Sequence, residues 1–243
     1  MIIINADDWG RSVGETDAAL SCYRRGRVTS ASAMVFMKDS TRSAQLARDA
    51  GIDVGLHLNF SERFSAEWVA EPLREYHERI VHFLTRHKYS FLIYNPALRR
   101  EFRYVYQGQV EEFFRLYGRL PSHIDGHQHK HLCMNVLLDQ IIPRGEKVRR
   151  NFFFWPEEKN RVNRTYRWFS DALLANRYHT TDFFFALSQC HRNDRFTRVV
   201  ELAKTRTVEL MAHPGNGAEY ARLVSDEFLS CLAELEKGTY SLI

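Results

Sequence analysis

The chain lacks any sign of a disulfide framework. Its four cysteines, Cys22, Cys133, Cys190 and Cys231, are widely spaced and form no C-x-x-C pair. That pattern suits reduced cytosolic thiols rather than crosslinks or a structural zinc knuckle. A secretory leader is also missing: MIIINADDWG has no basic n-region, and its apolar run stops at Asn5. No apolar run approaches the ~18 to 20 residues that span a bilayer. These absences predict a cytoplasmic protein with no membrane span. Low-complexity linkers and internal repeats are absent too, so residues 1–243 read as a single domain. Strong charge is lacking: 34 Lys and Arg against 30 Asp and Glu leave a net +4, too weak a balance to argue for nucleic acid. The arginines at 149, 150, 161, 164 and 167 do cluster. A solvated basic face is the default reading, and an anionic substrate group is the alternative.

What is present is an alternation of strand and helix signals. The uninterrupted β-branched run at Ile2 reads as a buried parallel strand ending near Asn5, which leaves Asp7 and Asp8 at its C-terminal end. Ser12-x-x-Glu15 opens a helix as a capping box, and Gly26 closes it. Further strands are expected over 31–36, 52–59, 123–125, 183–187, 208–212 and 240–243. Helices are expected over 43–50, 70–86, 102–117, 134–142, 160–176 and 225–237. Alternating β and α units imply a parallel sheet with helices outside it. The expected fold is therefore α/β, a distorted or incomplete β/α (TIM-like) barrel, with a doubly wound open sheet as the alternative.

The polar residues fall at strand ends. The stretch HIDGHQHKH, residues 123–131, concentrates four of the chain's 11 histidines beside Asp125. Asp7 and Asp8, His57, Asp125 with His127, and His213 each follow a strand signal. Taken singly, each has a bland explanation: a turn or N-cap for the aspartates, a hydrogen-bonded histidine for His57, a turn residue for His213 before Pro-Gly. Jointly they would meet on the C-terminal face of a barrel, where active sites sit. In an extended segment His123, Asp125 and His127 share parity and could share a face. A carboxylate plus two imidazoles suits one divalent metal ion per chain with open coordination positions. A second carboxylate could then take a proton from water and a histidine could protonate a leaving group.

Four motifs also resemble the YdjC-like carbohydrate deacetylases, whose ChbG-type members act on chitooligosaccharides. They are Asn5 to Gly10 (NADDWG), Gly55 to Asn59 (GLHLN), His123 to His129 (HIDGHQH) and Glu209 to Gly215 (ELMAHPG). The resemblance implies a metal held by Asp8, His57 and His127, with Asp7 as catalytic base and His213 as general acid. It implies hydrolysis of the acetyl amide of an N-acetylated sugar. Zn²⁺ or Mg²⁺ is the leading expectation, with Mn²⁺ and Co²⁺ also open. Asp125 fits the orientation of a ligand histidine. His123, His129, Trp9 and Asn59 are expected near the ligands or the substrate pocket, and His131 at the surface. Trp9 stands where the family more often has Phe, and LNFSERFS after His57 departs from the usual continuation. A homodimer is the expected assembly, and nucleic acid is not an expected partner. Two other functions stay open: a metal-dependent phosphoesterase on a β/α barrel, and a sugar-binding protein that has lost catalysis. A metal count of two or three would favour the first; sugar affinity without turnover would favour the second.

Overall fold

The structure, a computed structural model, describes residues 1–159, 161–190 and 193–243. Strand β1 (Ile2–Trp9) leads into helix α1 (Val13–Arg24), β2 (Ser30–Ala33), α2 (Ser40–Ala50) and β3 (Asp53–Leu58). Helices α3 (Glu71–Thr85) and α4 (Arg99–Tyr117) precede β4 (Ile124–Gly126). Then come α5 (Met134–Leu138), α6 (Arg161–Ala175), β5 (Phe183–Ala186), α7 (Asn193–Ala203), β6 (Val208–Ala212), α8 (Gly217–Val224) and α9 (Asp226–Cys231).

Among the described residues the six strands form one sheet in the order β4-β3-β2-β1-β6-β5, and every pairing is parallel. That is a cyclic order interrupted between β4 and β5. Residues 147–153 cross the gap. Arg149 N–H donates to Ile124 O on β4 (3.0 Å), and Phe153 N–H donates to Phe184 O on β5 (2.9 Å). The molecule is thus a single α/β domain around a curled six-stranded sheet. Ile2, Ile4, Val54, Leu56, Val208 and Leu210 fill its core without exposure. Every residue of β1, β2 and β6 is buried, which is why their strand signals are continuous rather than alternating.

Local sequence explains most boundaries. Ser12 caps α1 by accepting from Glu15 N–H, although the Glu15 side chain turns to Arg11 instead of completing a capping box. Gly51 and Gly118 end α2 and α4 in the left-handed conformation that glycine adopts without strain. Helix α4 buries Phe102, Val105, Phe113 and Leu116, the expected apolar stripe.

Several expectations are corrected. β1 runs on to Trp9, so Asp7 and Asp8 lie within the strand, and its register with β2 shifts between Ala6 and Trp9. The helix expected over 225–237 is split. Ser225 caps α9, which ends at Cys231, because residues 236–238 pair with β1: Ile2 N–H donates to Glu236 O and Gly238 N–H to Ile2 O. The preceding α8, capped by Asn216, and α7 are helices that the sequence pattern does not predict. The expected strand over 240–243 is a 3₁₀ turn instead (Tyr240–Leu242). The Tyr240 ring is drawn inside, where it stacks on His123 with centroids 3.8 Å apart.

Candidate metal and catalytic site

The end of β1 departs from regular strand geometry at Asp8, whose φ is +65°. Aspartate tolerates that region better than most residues, and strain of this kind collects at functional sites. The turn continues through Gly10 (φ +83°), where a Cβ would lie 2.6 Å from Ser43 Oγ and 3.1 Å from Met34 O. The kink sets Asp7 and Asp8 toward neighbouring strand ends.

His57 comes from β3 and Asp125 from β4, paired directly in the parallel register. His57 Nδ1 lies 2.8 Å from Asp125 Oδ1, which leaves Nε2 toward Asp8 Oδ1 at 3.5 Å. His127 follows β4, and its Nδ1 lies 3.0 Å from the same Asp8 oxygen. One carboxylate oxygen and two imidazole nitrogens thus converge, all within 4.8 Å of one another and all on buried residues. Two ligands each about 2 Å from a shared tetrahedral ion sit roughly 3.3 Å apart. The separations of 3.0 and 3.5 Å bracket that value, so this donor set fits a divalent cation.

A second group, Asp7, His57 and Asp125, is also close enough to hold an ion. A guanidinium already serves it. Arg149 is fully buried and grips Asp7 with two hydrogen bonds (2.8 and 2.7 Å), Asp125 at 2.6 Å and Glu209 at 2.8 Å. Buried charges persist only when paired in this way. A positive side chain at this second group disfavours another cation there, which leaves Asp8, His57 and His127 as the better ligand set.

The charges reinforce one another. Burial works against an ionised Asp8, but hydrogen bonds from His127 and His57 hold its carboxyl below the usual carboxylate range. Burial likewise opposes a proton on His57, yet Asp125 and Asp7 outweigh it and push the imidazole up to about 10. His127 is raised, with Asp8 and Glu62 overcoming burial. An excess of negative charge around two histidines is the electrostatic condition a cation would satisfy.

His213 follows β6, whose Ala212 pairs with Ala6, so it stands beside the Asp7–Asp8 turn. Its side chain is 36% exposed. Glu219 accepts from its backbone N–H (2.9 Å), and Glu219 Oε1 lies 3.8 Å from Nδ1. Burial disfavours the charged ring, but Glu219, Asp7 and Asp8 raise its pKa above the ordinary value.

The other expected residues take different places. His123 is buried behind Asp125, and both meet Ser32 Oγ (3.0 and 2.8 Å), so these two share a face as expected. Extension ends at Gly126, and Gln128 and His129 adopt left-handed backbone (φ +51° and +57°). His129 packs edge-on to Phe152 and lines a cavity. His131 is fully buried rather than at the surface, with Nε2 3.1 Å from Arg149 O. Trp9 is core, not pocket wall: its indole N–H donates to Ser43 O at 3.2 Å. Asn59 is wholly buried and shapes the following loop, accepting from the backbone N–H groups of Ser61 and Glu62.

Two participants carried no warning in the sequence reading. Arg149 belonged to the cluster read as a solvated face, and no local pattern marks it as buried. Glu62 lies in the LNFSERFS loop after His57. Its carboxylate sits 3.2 Å from His127 Nε2 and is held by Arg11 (2.9 and 3.1 Å). The hydrogen bond to His127 is the largest influence keeping the Glu62 pKa low. Asn5 and Glu209 stood inside the recognised motifs without an assigned role. Asn5 Nδ2 donates to Asp7 Oδ1 (2.8 Å), and Glu209 braces Arg149 and accepts from the Tyr240 hydroxyl.

Comparison with known proteins agrees with the motifs. The model of the YdjC-like protein family matches residues 1–234. The chain belongs to the YdjC-like family. A carbohydrate deacetylase of Mus musculus is 28% identical over 247 residues, covering 88% of this chain and 77% of that protein. A chitooligosaccharide deacetylase of Serratia marcescens is 30% identical over 133 residues, covering 54% of this chain and 51% of that one. Among solved structures, one from Enterococcus faecalis V583, described as a cellobiose-phosphate cleavage protein, superposes with a TM-score of 0.64 at 18% identity. It covers 99% of this YdjC-like chain and 97% of the other. At that identity the likeness speaks for the fold alone.

Proposed function

We propose that this YdjC-like protein is a metal-dependent N-deacetylase that hydrolyses the acetyl amide of an N-acetylated sugar, such as a chitooligosaccharide. The observation that carries the reading is the side-by-side placement of the Asp8, His57 and His127 donor set and the Arg149-clamped Asp7. The cyclic strand order supports a distorted, TIM-like β/α barrel, with residues 1–243 forming one deacetylase domain. Asp8, His57 and His127 would hold one divalent ion, Zn²⁺ or Mg²⁺ first among candidates. When bound, such an ion polarises the acetyl carbonyl and lowers the pKa of water.

The chain's own residues supply the rest. Asp7, fixed by Arg149 and Asn5, takes the proton from the attacking water. Asp125 fixes the ring of His57, as carboxylates do for histidine ligands. His213 donates its proton to the departing amine as the C–N bond breaks. Water and amide become acetate and a free amino sugar.

The test is acetate release from N-acetylated sugars, including chitobiose, by metal-stripped protein and by protein with each metal restored. Metal-dependent release that Asp7→Asn abolishes supports the reading. Hydrolysis of a phosphoester without acetate release overturns it in favour of a phosphoesterase. Such an enzyme would need a further ion near Asp7 and Asp125, where Arg149 already stands.

A further inference from the structure

A cavity of about 600 Å³ begins one residue past His127. Gln128, His129, Lys130, Arg150, Phe152 and Arg167 line it, and no carboxylate does among the described residues. Its rim carries apolar side chains that water should disfavour: Tyr89 is 51% exposed, Leu92 40%, and the adjoining Ile93 55%. Arg150, Phe152 and Arg167 also line a second cavity, which continues to Lys159, Arg164 and Trp168. Trp168 is 72% exposed, on the same exposed face of α6 as Arg161 and Arg164.

Cations outnumber acids on this face: the cavity beside His127 has no carboxylate lining among the described residues, and Asp171 and Asp182 line the second one. Lys88 and Lys130 lie over the rings of Tyr89 and Phe91, and Lys159 over Phe154. These lysines, Arg161 and Arg164 have no carboxylate partner among the described residues. The acids nearby are engaged: Asp171 with Arg150, Glu157 with Arg198, Glu158 with Arg195, and Asp182 by accepting from the Thr207 backbone N–H.

We propose that this face docks peripherally on an anionic lipid bilayer, with the cavity mouth against the membrane. Tyr and Trp settle at the headgroup level, Leu92 and Ile93 reach the acyl boundary, and unpaired cations meet anionic headgroups. A second copy fits poorly: a two-fold interface through this face would set these cations against each other. A nucleic acid would satisfy the cations but leave Leu92 and Ile93 without an apolar partner. The proposal goes beyond the deacetylase reading, because vesicle binding is measured without turnover.

The experiment is flotation of the full chain with vesicles of phosphatidylcholine, with and without phosphatidylglycerol, at low and high salt. Binding is expected only to the anionic vesicles, weakened by salt. It should fall roughly tenfold in L92E/I93E and in W168A, with unchanged melting and unchanged hydrolysis of soluble chitobiose. No flotation at low salt, or variants that float like the parent, would overturn it. So would a parent dimer that W168A turns into monomer while vesicles bind neither, which would assign the face to self-association.

Discussion

Glu62 Oε2 lies 3.2 Å from Nε2 of His127, while Nδ1 of the same ring faces Asp8 at 3.0 Å. His57 has the matching arrangement, with Asp125 on one nitrogen and Asp8 on the other. Each histidine is therefore braced by an outer carboxylate, and one of the two comes from a loop rather than a strand. Glu62→Gln is expected to weaken metal affinity about tenfold or more while the metal-free protein melts as before. Isothermal titration with Zn²⁺ and a melting curve of the stripped protein check both halves. Unchanged affinity would reduce Glu62 to a partner of Arg11.

Arg149 bonds Asp7, Asp125 and Glu209 together. Arg149→Met leaves three buried carboxylates facing one another. Removing one partner of a buried charge pair costs about 3–5 kcal/mol. Urea unfolding should show a loss of that order, and Arg149→Lys should recover only part of it, since a lysine cannot grip Asp7 with two parallel bonds. A loss below 1 kcal/mol would mean that water compensates the carboxylates.

His77 gives a pH signature away from the ligand set. Its ring stacks on Phe64 (3.6 Å), its Nε2 meets Asn59 O at 3.0 Å, and burial lowers its pKa to about 4 from an ordinary 6.5. Between those values the unfolded chain binds the proton and the folded chain does not. The contribution of His77 to stability is therefore complete above pH 6.5 and is lost as pH falls toward 4, by about 3 kcal/mol at full extent. His77→Gln should flatten the dependence of unfolding free energy on pH across that window. An equal slope in both proteins would show that His77 stays accessible to protons when folded.

Gly55 is required by packing, not by its backbone angles. A Cβ there would fall 2.3–2.6 Å from atoms of the His123 ring, which is buried and stacked on Tyr240. The ring has little room to retreat. Gly55→Ala should cost about 1–3 kcal/mol as overpacking does, and it should lower acetate release because His57 lies two residues on along β3. A melting temperature equal to the parent's would show that the His123 ring can retreat.

Much was legible in the sequence because the signals were local. Continuous β-branched runs mark buried parallel strands, glycines at 26, 51 and 118 mark helix ends, and ionisable residues at the strand ends mark the site. The order of β and α units then implies convergence of Asp7, Asp8, His57, Asp125 and His213 without knowledge of any contact. Short helices such as α8 escaped, since a few residues hold too little periodicity to stand out. Where the C-terminal segment leaves its helix is decided by pairing with Ile2, more than 200 residues earlier in the chain.

The sequence alone determined the parallel α/β architecture and the chemistry at the strand ends, because strand burial and side-chain type are local properties. Only tertiary structure decided that Arg149 is a buried hub, 142 residues from Asp7, and that Glu62 braces His127. Pairing of charges across such distances depends on which groups burial strips of water together. A basic, aromatic stretch reads the same whether it faces solvent or three carboxylates.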